Sequence, residues 1–333
     1  MAITGPASYI PTINEILAHW QQCNAALPPG TPLLVRLRES NTTVARAQLL
    51  AKRDALQTQQ NVVQSKLTDL QLTRGTILLE KTELLAIFNQ FTTRLDASYQ
   101  GTNFYMLRPL APGVGYGQFV FSDPMGDAMV LWGKINSGPA PAGVTLPLVL
   151  PNGQTQGGFA SLLSALQFSY SEEKAKDQDV VLARGDRNKI QDEAYEIMKW
   201  YRETVPDMMA NFPVLVETMP RLTPLPGHTP EAVNSSVIFL APNQAKVVYD
   251  ASTDSMLAGY QLRGNVGDDY SDEDAVVIAT NAPGAPREFV VPFGLNQPGA
   301  KVALKVYVIL TTDNEAGSAA MFVERPASVQ MAA

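Results

Sequence analysis

The sequence predicts a multidomain protein of α plus all-β class: a long-helix bundle followed by a β-sandwich. Three observations carry that prediction. Apolar residues recur every seven positions at Leu49, Leu56, Val63, Leu70, Ile77, Leu84 and Phe91, in a proline-free stretch from Thr42 to about Tyr99. Five prolines then fall within eighteen residues, Pro213, Pro220, Pro224, Pro226 and Pro230. From about Glu231 the texture changes to valine, glycine and short alternating runs. The first marks a continuous helical seam, the second a stiff linker, and the third a set of short strands.

The long helix would span roughly 87 Å at 1.5 Å per residue, too long for burial in one small globule. Ser40 or Asn41 is the expected N-cap, offering a side-chain oxygen to the free amides of the first turn. Its middle, Gln57 to Asn61, is polar and is expected to be solvated or to meet another subunit. The seven seam residues are the expected packing and self-association edge, since an apolar stripe must find a partner.

Around this helix the other elements follow in order. Pro11 to about Ala26 reads as a short helix with Ile13, Ile16, Leu17 and Trp20 on one side. Pro28, Pro29 and Gly30 end it, and Leu33 to Leu37 is a short extended piece. Residues 101–121 read as a Gly/Pro/aromatic loop, and Pro124 to Asn136 as a second short helix. Leu146 to Leu150 reads as extended. A second long helix runs from about Thr155 to Glu203, with a polar middle at Glu172 to Asp179. Val205-Pro206 is expected to stop it, because a residue before proline avoids the helical region.

These passages resemble each other. Pro11 answers to Pro124 and Trp20 to Trp132. Leu49-Leu50 answers to Leu162-Leu163 at an offset of 113, and Leu72-Thr73-Arg74-Gly75 to Leu182-Ala183-Arg184-Gly185 at 110. An internal duplication is expected, about 10–100 and 123–205, with the lost three residues taken as a stammer in the second long helix. The two long helices are expected to pack lengthwise and antiparallel. The expected organisation is a helical domain over 1–218, a proline-rich linker over 219–230, a sandwich over 231–326 and a tail over 327–333.

Seven candidate strands fill the last part: Val237–Leu240, Ala245–Tyr249, Gly259–Gly264, Val276–Thr280, Glu288–Val291, Val302–Thr311 and Ala319–Val323. Seven short strands in about 95 residues read as an immunoglobulin-like sandwich. Lys246-Val247-Val248-Tyr249-Asp250-Ala251-Ser252 resembles strand B of a fibronectin type III domain, with Tyr249 where a core tryptophan is usual. Leu257-Ala258-Gly259-Tyr260-Gln261-Leu262 looks like its strand C. Val306-Tyr307-Val308 through Gly317-Ser318 is similar to its strand F and F–G turn. The resemblance covers residues 231–326. It implies a spacer or protein-binding module and no reaction.

The inventory of reactive groups is small. Two histidines, His19 and His228, and one cysteine, Cys23, barely supply a metal site and leave almost no Ser-His-Asp or Cys-His arrangement. The expectation is a non-enzyme with no catalytic residues and no cofactor. Gly113-Val114-Gly115-Tyr116-Gly117 lacks the strand-to-helix setting of a phosphate loop. Asp268, Asp269, Asp272, Glu273 and Asp274 form an acidic run that is a weak candidate for an ion, with a solvated loop as the favoured reading. Arg184-Gly185-Asp186 falls inside a helix, unsuited to display as an adhesive tripeptide.

Net charge is −7 and the isoelectric point is near 5.0, against nucleic-acid binding. Residues 219–333, with 7 basic and 12 acidic groups, hold −5 of that total. There is no Sec-type leader pattern and no run long enough for a bilayer, so the protein is expected in the cytoplasm or exported as part of an assembly, without membrane insertion. The expected function is a structural subunit that self-associates into a homo-oligomer, filament, tube or shell. The alternatives are a binding or adhesion protein whose sandwich holds a protein or glycan, and an enzyme with a site between helices.

Overall fold

The computed structural model describes residues 2–326; the tail expected over 327–333 lies outside the described residues. Two compact units form, Met1–Thr68 with Val180–Ala333, and Asp69–Asp179. The chain runs α1 (Tyr9–Ala26), β1 (Val35–Leu37), β2 (Thr42–Val44), α2 (Arg46–Ser98), α3 (Asn103–Met106), α4 (Gln118–Asn136), α5 (Gln156–Met208), α6 (Pro213–Glu217) and β3 to β10. α2 and α5 have 53 residues each. All seven seam residues are buried within the chain itself.

In the first unit, Lys52 pairs with Glu193 at 2.5 Å and Gln59 donates to the Ala183 carbonyl at 3.0 Å. Positions rise along α2 as they fall along α5, so the two helices run antiparallel. Their core here is Leu49, Leu56, Ile197, Tyr201 and Val205, closed by Trp20 and Leu33. In the second unit Arg74 meets Glu173 at 2.9 Å, and Phe91 stacks on Trp132 at 4.9 Å in a core with Leu84, Leu95 and Phe159.

Several sequence expectations are corrected. α2 begins at Arg46, not Thr42, and neither Ser40 nor Asn41 caps it. Thr42-Thr43-Val44 is β-branched and pairs antiparallel with Val35–Leu37. Asn41 takes φ 52° in the turn between them, where its side-chain oxygen accepts from Arg36 Nε and Nη2 at 3.2 and 2.6 Å. The helix is entered instead by Gln48, whose Oε1 accepts from the Ala45 amide at 2.8 Å. α4 begins at Gln118 and carries Pro124 inside it. α5 runs through Pro206 to Met208; Val205 and Met209, both fully buried, hold the backbone helical across the missing amide. Residues 146–150 join no sheet. They are held by side chains: Trp132 Nε1 donates to the Leu148 carbonyl at 3.1 Å, and the Leu148 amide donates to Asn136 Oδ1 at 2.7 Å.

The C-terminal strands form a β-sandwich. β3 (Ser235–Leu240), β4 (Gln244–Tyr249) and β7 (Glu288–Val291) make one sheet in the order β3-β4-β7. β5 (Leu257–Val266), β6 (Val276–Asn281), β8 (Lys301–Leu310) and β10 (Met321–Glu324) make the other, ordered β10-β8-β5-β6, with β9 (Glu315–Gly317) on β8. All pairings are antiparallel. Between the sheets Tyr249 packs on Tyr260 and Phe289 at 4.7 and 5.3 Å, its hydroxyl accepting from Asn281 Nδ2 at 2.9 Å. An apolar body with a satisfied polar tip thus fills the position where the sequence suggested a tryptophan-like anchor.

Candidate functional site

The acidic run is where the sequence placed its one ion candidate. Asp274 is almost fully buried in the first unit. Its carboxylate accepts from Arg184 Nε and Nη2 at 2.8 and 2.5 Å, with Arg187 Nη1 at 3.6 Å. Arg187, also buried, donates to the Glu273 carbonyl at 2.7 Å and lies 3.3 Å from the Glu273 carboxylate. Gln64 on α2 completes the dock: its Nε2 donates to the Asp274 carbonyl at 2.7 Å and its Oε1 accepts from the Val266 amide at 3.0 Å. The favoured solvated-loop reading is therefore wrong for Asp274. Glu273 and Asp274, at the end of the acidic run, form a clamp onto α5 and α2, while Asp268, Asp269 and Asp272 stay exposed. Among the described residues no three His, Cys, Asp or Glu groups gather to hold a metal. A desolvated carboxylate needs its guanidinium partners, and these two are committed to each other.

The outer face of β5 carries a second polar cluster. Gln261, Arg263 and Asn265 alternate with core residues but are buried. Arg263 makes a bidentate pair with Glu315 at 2.8 and 2.5 Å and lies 4.1 Å from the Tyr307 ring centre. Tyr307 donates its hydroxyl to Asp272. Burial, then that carboxylate, push the Tyr307 hydroxyl up to about 12; burial also raises Tyr270 beside it. Thr4, Gly5 and Ala7 line a pocket of 250 Å³ over this face. A larger groove of 490 Å³ is lined by Ile10, Gln57, Gln60, Asn61 and Ile278 with Phe293.

His19 and Cys23 meet in the helical core of this unit. His19 Nδ1 shares a hydrogen bond with the Tyr201 hydroxyl at 2.6 Å, and Nε2 donates to the Leu215 carbonyl at 2.7 Å. Cys23 Sγ lies 3.7 Å from His19 Nδ1 and 3.6 Å from the Tyr201 oxygen. Burial pushes the thiol up, the wrong direction for a nucleophilic thiolate. His228 pairs with Asp254 at 2.5 Å near the surface.

The second unit holds a feature the sequence reading missed. Lys81 on α2 is buried, and its ammonium donates to the carbonyls of Val114 and Tyr116 at 3.2 and 2.7 Å. It lies 5.3 Å from the Phe121 ring and 5.6 Å from the Tyr170 ring. Burial lowers its pKa, partly offset by Glu173. The glycine-rich segment 113–117 is thus fastened by a lysine, with the Tyr116 amide donating to Gly113 at 3.0 Å. A polar residue inside the α2 heptad pattern was the only available signal.

No family model matches the chain, and no curated protein matches it. Among solved structures, the fn3 domain of human contactin 1 aligns at 14% identity over 33% of this chain and 89% of that one, with a TM-score of 0.26. An Fn3-like protein from Clostridium thermocellum aligns at 18% over 30% of this chain and 96% of that one, TM-score 0.23. The FN1–FN3 domains of chicken CNTN1 align at 17% over 30% of this chain, TM-score 0.25, and the chain spans 31% of that structure's length. At these values the likeness bears on no activity, and the sandwich rests on its own strand pairing. Among the described residues no helix is long and apolar enough to cross a membrane.

Proposed function

We propose that this chain is a non-enzymatic structural subunit that self-associates and carries a fibronectin type III-like sandwich locked to its own helices. The observation that carries it is the exposed apolar surface of the second unit, where Met106, Leu110 and Phe119 stand in water on either side of a turn that Lys81 fastens at Val114 and Tyr116. An apolar surface held rigid in solvent is a binding surface. Self-association fits a chain whose heptad seam is already covered by its own α5, so that a second, separate surface is left over. Repeated contacts of this kind build a filament, tube or shell when they do not close.

We further propose that the helical part is one unit used twice. α2 and α5 have equal lengths, and their bounds are offset by a constant 110. Trp20 Nε1 donates to the Leu33 carbonyl at 3.1 Å, and Asn24 Oδ1 accepts from the Leu33 amide at 2.8 Å. Trp132, Asn136 and Leu148 repeat that pair of bonds. A constant offset leaves no stammer inside the second long helix; the difference in spacing falls in the connections before α2 and α5. For the sandwich, β4, β5 and β8 occupy the second, third and sixth places that the B, C and F assignments require, which supports the fibronectin type III-like reading.

Negative-stain micrographs of the purified protein test the first proposal: regular particles larger than one chain support it, and a field of single chains opposes it. A second reading, a binding module for a protein or glycan, is favoured by the 490 Å³ groove. Saturable binding lost on Gln60→Ala, with single-chain particles, would select it.

A further inference from the structure

From the last residue of α3 to the first turn of α4 six apolar side chains are more than half exposed: Met106, Leu107, Leu110, Tyr116, Phe119 and Val120. Met106 and Leu110 reach 83% and 81%. Singly exposed apolar residues need no explanation, but six within fifteen residues of continuous chain do. Together they expose roughly 700 Å², taking about 150–220 Å² per side chain, against the roughly 800 Å² each partner gives to a standard interface.

The segment is also preorganised. Lys81 holds the Val114 and Tyr116 carbonyls. The Tyr116 amide donates to Gly113, and the Phe121 amide to Gly117, at 3.0 Å each. A surface already ordered loses little conformational freedom on docking.

Charge selects the occupant. Arg108 is the only ionisable cation or carboxylate between 106 and 120, and Asp96 accepts from it at 2.5 Å. The surrounding unit holds more acidic than basic residues and the whole chain is at −7, which disfavours anionic lipid and nucleic acid. A two-fold contact brings a surface against itself, so any unpaired charge on it meets its like. This surface has none, and its area suits a dimer. We propose that residues 106–120 dock on the same segment of a second copy of this chain, forming an isologous contact. This rests on the self-association reading above and names its surface.

The test is the molar mass of the full chain by light scattering after size exclusion, across a wide concentration range. Leu110→Asp/Phe119→Asp puts two carboxylates on each side of the contact. It is expected to halve the wild-type mass while leaving the far-ultraviolet dichroism unchanged. The uncharged pair Met106→Gln/Leu110→Gln, which spares the fold if the charged pair does not, is expected to raise the dissociation constant at least tenfold. Wild-type mass retained in both variants overturns the assigned surface and leaves self-association standing. Wild type at the mass of one chain, 36.1 kDa, at every concentration overturns both.

Discussion

Asp274→Ala is the sharpest perturbation of the clamp between the sandwich and the helices. The wild-type carboxylate is 2% exposed beside an Arg187 side chain at 3%. Removing it strips Arg184 of two hydrogen bonds and leaves the buried Arg187 with the Glu273 carbonyl, the Asn188 side-chain oxygen and one half-exposed carboxylate. Breaking a buried pair by deleting one partner costs about 3–5 kcal/mol, because the remaining charge stays desolvated. At about 2–4 °C per kcal/mol for a unit of this size, the midpoint of thermal unfolding falls by roughly 6–20 °C. Circular dichroism at 222 nm during heating reads it. The exposed pair Arg38–Glu203, 3.9 Å apart, is the control: Glu203→Gln changes stability by less than about 1 kcal/mol. Adding Arg187→Met to Asp274→Ala recovers part of the loss, since the uncompensated charge goes with it. An Asp274→Ala midpoint equal to that of Glu203→Gln would refute the reasoning and show the clamp to be solvated.

Four further outcomes follow from particular contacts. Leu70→Asp, at a buried seam position, costs several kcal/mol if the charge stays desolvated; unchanged melting would mean Leu70 faces water. Asn24→Ala and Asn136→Ala each lose one bond from a backbone amide, Asn136→Ala also losing the bond to Gln156 Oε1 at 3.2 Å, and each is expected to cost at least about 1–2 kcal/mol; no cost at either one would oppose the duplication. Lys81→Met removes the donor from two carbonyls, and hydrogen exchange within 107–117 is expected to speed up while α2 is unchanged; unaltered exchange would show the lysine is not the fastening. Tyr307 titrates near 12 when folded and near 10 when unfolded. The unfolded chain therefore releases this proton first, and stability is lost as pH rises from about 10 to 12. Ultraviolet titration and alkaline unfolding measured together check it; a Tyr307→Phe variant with an identical alkaline profile would oppose it.

Much of the architecture was legible because two periods are strong. The seven-residue stride of Leu49 to Phe91 reports a buried helical face, and each of those residues is buried. Alternation and valine content marked all seven longer strands of the sandwich, and Glu288–Val291 agrees in both bounds. Short elements were lost where local chemistry was ambiguous. Thr42-Thr43 suits a helix entrance or a strand, and only the pairing with Arg36 and Leu37 decides it. β9 hides in what reads as a turn, since three residues have too little pattern to register. Pro206 stays inside α5 because the packing of Val205 and Met209 outweighs a local steric preference.

The polar sites were far less legible. Asp274 and Arg184 are 90 positions apart, and nothing local in either segment announces the other. Gln261, Arg263 and Asn265 alternate like a solvent face, and they are covered only because remote residues such as Glu315 and Asp269 come to them. The exposed segment at 106–120 reads as a loop from its glycines and prolines. Its apolar side chains become informative only once Lys81 is seen to hold them in place.

The account stands most directly on whether this chain associates with itself. Sedimentation velocity of the unmodified protein at rising concentrations is the measurement. A sedimentation coefficient that climbs with concentration beyond that of a 36.1 kDa chain is the predicted result. One unchanging boundary at the single-chain value would contradict it.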